Sequence, residues 1–192
     1  MQTANWQLPT AIIAALLLGL LLAMGLPTAR LFPVGEVGDT AVALRFLPAE
    51  TAGGTTYRWT SGDSALRLFG LNGAPGSVRV RLTAPDRPTA PLVFSYEGRT
   101  LAEVMPPNQW RRYTLLLPAP ANPWFTPQLG LNGGLSAPTA SDSRRLGVAV
   151  SDMQLRPLAG PHPWRLLERA LLLVLALGVP LALLSQLIRE PG

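Results

Sequence analysis

Two apolar runs without a charged side chain, Leu8 to Leu26 and Ala170 to Ile188, stand near the two ends of the sequence. At 1.5 Å rise per residue, a helix of that length extends roughly 28 Å, the thickness of a bilayer's hydrocarbon core. A chain in that core must satisfy its own backbone hydrogen bonds, which makes both runs predicted transmembrane helices. The expected layout is a short tail (1–7), a first span (8–28), an extracytoplasmic β-sandwich (32–160), a second span (164–188) and a C-terminal tail (189–192).

The first run also admits a reading as a cleaved signal peptide, since Ala23-Met24-Gly25 is a passable small-x-small cleavage site. Against cleavage, Met1 to Gln7 lacks lysine and arginine, and the apolar stretch exceeds the usual signal length. An uncleaved first helix with its N-terminus inside puts the middle domain outside and returns the tail to the cytoplasm. Arg189 agrees with that orientation, whereas Arg165 and Arg169 oppose it. Trp6 and Trp164 flank the two spans as membrane-interface residues. Ala11, Ala15, Gly19 and Ala23 recur every fourth residue along one face of the first span, and Gly178 and Ala182 repeat the spacing in the second. Small residues so placed let another helix approach closely, although alanine is also simply abundant here.

Composition excludes several chemistries. There is no cysteine and no lysine, and His162 is the single histidine. Thiolate metal sites, iron–sulfur clusters, disulfides and a Walker-type phosphate loop are therefore ruled out, and no cofactor is expected. All sixteen basic residues are arginine, and the formal charge is +5. They are scattered among acidic residues with no basic helix, so no nucleic-acid partner is expected and a solvated surface accounts for them. Where an arginine does act, its planar fork suits carboxylates, phosphates or a partner's backbone.

From Thr40 the pattern changes from continuous to alternating. In Ser77-Val-Arg-Val-Arg-Leu-Thr83, Val78, Val80 and Leu82 share one face, with Arg79, Arg81 and Thr83 on the other, as in a half-buried strand. Similar segments are predicted at 41–47, 55–60, 65–69, 92–96, 100–105, 111–116, 128–131 and 146–155. Turn formers separate them at Gly53-Gly54, Ser61-Gly62-Asp63, Glu97-Gly98 and Asn132-Gly133-Gly134. Eight or nine short strands with such connections predict a mainly β fold, an antiparallel jelly-roll-like sandwich flanked by the two transmembrane helices.

The series Thr56-Tyr-Arg-Trp-Thr-Ser-Gly62, Leu71-Asn-Gly-Ala-Pro75, Asn108-Gln-Trp-Arg-Arg-Tyr113 and Asp142-Ser-Arg-Arg-Leu-Gly-Val-Ala-Val150 resembles a known module. It is similar to the extracytoplasmic jelly-roll, galactose-binding-like domains of bacterial polytopic glycosyltransferase-like and related membrane proteins. The resemblance spans roughly residues 35 to 158 and implies fold and membrane context. The chain lacks the many helices of a glycosyltransferase, so no catalytic residue is carried over.

Tyr57 and Trp59 share one strand face, with Arg58 and Thr60 on the other; the aromatic pair is either core or a surface on which a sugar ring stacks. Trp110 and Tyr113 differ in parity, so at most one points inward, leaving Trp110 as a contact at a loop edge. In Asn122-Pro-Trp-Phe-Thr-Pro127, two prolines confine Trp124 and Phe125, which either plug one end of the sandwich or meet a partner. Asp142, Arg144 and Arg145 are close enough for a local ion-pair network. No catalytic or metal set emerges.

The function expected from sequence is that of a non-enzymatic accessory subunit in a larger membrane complex, an electron-transfer or envelope-glycosylation assembly. It would sit in the bacterial cytoplasmic membrane with its β domain on the periplasmic side, its partners being integral membrane subunits and the lipid bilayer. The alternative is a tethered carbohydrate-binding module whose glycan contacts are drawn from Trp59, Trp110 and Trp124.

Overall fold

Alternation of apolar and polar residues resolves into nine strands in the computed structural model, which describes residues 28–85, 90–122, 124–136, 144–159, 167 and 171–172. The strands are β1 (Arg30–Pro33), β2 (Ala43–Ala52), β3 (Thr55–Arg67), β4 (Gly76–Thr83), β5 (Leu92–Tyr96), β6 (Arg99–Val104), β7 (Arg111–Leu117), β8 (Gln128–Gly133) and β9 (Ala149–Pro157). All lie in one compact unit, Pro27–Ala159. Among the described residues no helix is long and apolar enough to cross a membrane. Both apolar runs, including Ala11, Ala15, Gly19, Ala23, Gly178 and Ala182, fall outside those residues, as do Trp6 and Trp164.

Every pairing between named strands is antiparallel, in the order β6-β5-β8-β3-β9-β4-β7, with β2 beside β3 and β1 beside β9. The path folds over on itself. Phe94 on β5 and Tyr113 on β7 lie near opposite ends of that order, yet their ring centroids are 6.0 Å apart. Leu66, Phe94, Leu129 and Leu131 from one layer join Val78, Val80, Leu82, Met153 and Leu155 from the other in one buried core. The result is a mainly β, jelly-roll-like sandwich.

β3 makes the corner. Its first half pairs with β9 through Arg58 and Trp59, and its second half pairs with β8 from Asp63 to Arg67. The sequence reading placed a turn at Ser61-Gly62-Asp63 between two strands; one strand runs through instead. Its neighbour β2 bends with it, through register shifts on both sides of Phe46 and a positive φ of 57° at Arg45. The carbonyl of Arg45 accepts from Ser61 Oγ at 2.7 Å and Ser64 Oγ at 2.5 Å, so side chains replace the ladder bonds that the bend removes. Similarly, β8 runs on through Gly133, where a turn was expected, and β1 was not foreseen because four residues are too few to show a period.

A second irregularity sets the parity of β9. Arg81 pairs with Asp152 but Leu82 pairs with Val150, leaving Ser151 as an extra residue. That bulge lets Val150 and Met153, an odd number of positions apart, both face the core.

Candidate functional site

Alternation fixes which side chains of the β7-β4-β9 layer face away from the core. Val78, Val80 and Leu82 are fully buried, so Ser77, Arg79 and Arg81 point outward. The register then aligns the outward residues of three strands in rows: Leu116, Ser77 and Arg156; Thr114, Arg79 and Gln154; Arg112, Arg81 and Asp152. In the next row Thr83 pairs with Ala149, and Ala149 pairs with Trp59 on β3.

Arg58 makes the two aromatics of β3 face outward. Its side chain turns inward to Asp39, with Nε 2.6 Å from Oδ2 and Nη2 2.9 Å from Oδ1, and Nη1 donates to the Leu47 carbonyl at 3.1 Å. Asp39 sits on a short 3₁₀ turn and also accepts from the Gly35 backbone N–H at 2.5 Å. Gly35, with φ 102°, passes so close to β3 that a Cβ would stand 2.9 Å from Tyr57 N, which only glycine avoids. Thr60, on the same side as Arg58, is buried and accepts from the Val148 N–H at 2.8 Å. With Arg58 and Thr60 inside, Tyr57 and Trp59 must lie on the outer surface.

There Trp110 joins them. Tyr57 is the middle ring, 5.7 Å from Trp59 at an interplanar angle of 89° and 5.7 Å from Trp110 at 61°. Such edge-to-face contacts suit the ring quadrupoles. All three rings are half-buried, and Ala149 beside Trp59 has no exposed surface. The Arg81 guanidinium carbon lies 5.0 Å from the Trp110 centroid. At the other edge, Glu50 pairs with Tyr57 across the strands and accepts from Trp59 Nε1 at 3.2 Å and, at a long 3.5 Å, from the Tyr57 hydroxyl. Arg144 closes an ion pair on the same carboxylate. Burial, and then the neighbouring Glu50 charge, hold the Tyr57 phenol above its ordinary pKa, so it remains a donor. Chemically, the arrangement offers three aromatic rings set at steep angles to one another, bordered by charged hydrogen-bonding groups.

The tryptophans separate into two places. Trp59 and Trp110 meet through Tyr57. Trp124 and Phe125 lie on the loop from β7 to β8, 54% and 71% exposed, so they form no plug. Trp110 precedes β7 and Trp124 follows it, and a strand of that length spans roughly 20 Å. The loop is fixed locally: Asn122 Oδ1 accepts from the Trp124 N–H at 2.9 Å, and Glu97 accepts from the Ala121 N–H at 3.0 Å. Arg144 is engaged with Glu50 rather than only with its sequence neighbours, while Asp142 lies outside the described residues.

Two recesses were missed from sequence. One, of about 280 Å³, is lined on the outer β7-β4-β9 surface by Ala29, Ser77, Arg79, Thr114, Gln154 and Arg156. The other, of about 380 Å³, lies on β3, β8 and β5 with Arg45, Ser95, Gln128 and Asn132 around a floor of Ala65 and Gly130. The alternation of β4 was visible beforehand, but only cross-strand register says which residues of its neighbours the outward side chains meet. Among the described residues no cluster of three histidine, cysteine or acidic side chains could hold a metal.

No family model matches the chain, and no curated protein matches it. Solved structures with a similar fold include the C-terminal family 6 carbohydrate-binding module of a marine laminarinase from Zobellia galactanivorans. It is 12% identical with a TM-score of 0.40, covering 67% of this chain and 99% of that one. A family 35 carbohydrate-binding module from Clostridium thermocellum is 10% identical with a TM-score of 0.40, covering 67% and 97%. A family 29 carbohydrate-binding module is 10% identical with a TM-score of 0.41, covering 69% and 93%.

Proposed function

We propose that the sandwich is a non-catalytic glycan-binding module, tethered to a bacterial membrane by the apolar runs at its two ends and facing the cell envelope. The observation that carries this reading is the placement of Tyr57, Trp59 and Trp110 on the outer surface of a sheet. An aromatic group that the core does not need, bordered by Arg81, Arg144 and Glu50, fits a sugar's apolar C–H face and its hydroxyl rim. Catalysis by Glu50 would require a carboxylate available to substrate, whereas Trp59 and Arg144 already occupy it. The full chain in detergent micelles, applied to a glycan array beside a Trp59→Ala/Trp110→Ala variant, tests the proposal. Wild-type binding that the variant loses is the expected result; an identical pattern, or no binding by either, overturns it.

The exposed Trp124 and Phe125 favour a second reading, an accessory subunit that docks other membrane proteins through this loop and its helices. Mild-detergent purification followed by mass spectrometry tests it, and a chain that always migrates alone contradicts it.

A further inference from the structure

Arg79, Arg81, Arg112 and Arg156 occupy outward positions on three adjacent strands, facing Asp152 as the single acidic residue in the same rows. Arg81 and Arg112 stand directly opposite one another, an arrangement that costs stability when nothing offsets it. Among the described residues none of the four has a carboxylate within ion-pair distance. Arg79 donates to Thr114 Oγ1 at a long 3.4 Å, and Arg81 lies over Trp110. Arg79 and Arg156 further share the recess with Ser77, Thr114 and Gln154, which adds two hydroxyls and an amide to two guanidinium forks. From Ser77 to Thr83 the strand extends roughly 20 Å, so recess, arginine pair and aromatic rings form one continuous track.

We infer that this track binds an acidic glycan, with the carboxylates of uronic-acid units held by Arg79 and Arg156 while units further along the same chain lie on Trp59 and Trp110. The inference rests on the glycan reading and adds the ligand's charge to it. Guanidinium groups hold carboxylates bidentately, and the hydroxyls and amide in the recess match sugar hydroxyls. Half-buried rings held between Glu50 and Arg81 leave no apolar wedge to insert into lipid but still offer π surface to a sugar's C–H groups, which favours a glycan over an anionic membrane surface.

The test uses the full chain in detergent micelles with oligogalacturonate and its carboxyl-reduced, neutral counterpart, at low and at physiological salt. Oligogalacturonate is expected to bind at least about tenfold more tightly than the neutral chain, and more weakly as salt rises. Arg79→Gln/Arg156→Gln should lose about tenfold per arginine on the acidic ligand and nothing on the neutral one. Trp59→Ala/Trp110→Ala should weaken both. Equal binding of both ligands, unaffected by the arginine changes, overturns the acidic-glycan inference and leaves the glycan reading standing. No binding to either ligand or to an array overturns both. Arginine-dependent binding to vesicles of phosphatidylglycerol and phosphatidylcholine, without binding to oligogalacturonate, also overturns the inference, because the track then serves a lipid surface.

Discussion

Replacing Asp39 with alanine tests the interaction that orients the aromatic surface. The Asp39 side chain is 1% exposed and that of Arg58 is 18% exposed. The carboxylate accepts two bonds from Arg58 and one from Gly35 N–H. Without it, the guanidinium keeps the Leu47 carbonyl and little else. Breaking a buried pair from one side costs about 3–5 kcal/mol, and the residual exposure of Arg58 puts this case at the lower end, ~3 kcal/mol. For a domain of this size that corresponds to a fall in Tm of roughly 12 °C. Urea unfolding of the full chain in micelles, followed by tryptophan fluorescence, measures the change as a shift in midpoint at constant slope. Asp39→Leu combined with Arg58→Met removes both charges and should recover about 2 kcal/mol, the remainder reflecting the unpaired Gly35 N–H. A single variant within about 0.5 kcal/mol of wild type, or a double variant as unstable as the single, would refute the view that this pair holds Arg58 inward.

Other expectations follow from individual contacts. A Cβ at Gly147 would collide with Thr60 Oγ1 and lie 3.2 Å from the Thr60 carbonyl, so Gly147→Ala should cost ~2 kcal/mol in the same urea assay; wild-type stability would show that the neighbouring strand yields freely. Burial, and then Glu97, push the Tyr96 phenol up to about 12 from the ordinary 10.0. Since the unfolded chain gives up this proton first, its contribution is complete below pH 10 and is lost as pH rises from there through about 12. Urea midpoints taken at either side of that window should fall with pH in wild type and less steeply in Tyr96→Phe. The Tyr96 hydroxyl has no partner among the described residues, so at neutral pH Tyr96→Phe should cost less than about 1 kcal/mol.

Fold class was legible because alternation is a local property: Val78, Val80 and Leu82 identify β4 unaided. The corner in β3 was not, since Ser61-Gly62-Asp63 has turn composition and only the bent neighbour β2 makes it strand. The parity of Tyr57 and Trp59 could be read, but not whether that parity faced inward; this depends on Asp39, 19 positions from Arg58. Scattered arginines looked like solvated surface because Arg79, Arg112 and Arg156 become neighbours only through the β7-β4-β9 register. Likewise, Glu50 and Arg144 are 94 positions apart, and no local pattern connects them.

Calorimetric titration of the full chain with an oligosaccharide selected from the array, repeated with Trp59→Ala and Trp110→Ala singly, tests the outer aromatic surface most directly. Each ring that contacts the sugar should contribute ~2 kcal/mol, so each variant should bind about thirtyfold more weakly, with Trp124→Ala unchanged as the control. Urea midpoints show whether the fold is retained, since Trp110→Ala also loses its contacts with Tyr57 and Arg81. Unaltered affinity in both Trp59→Ala and Trp110→Ala, with the fold intact, would contradict the account.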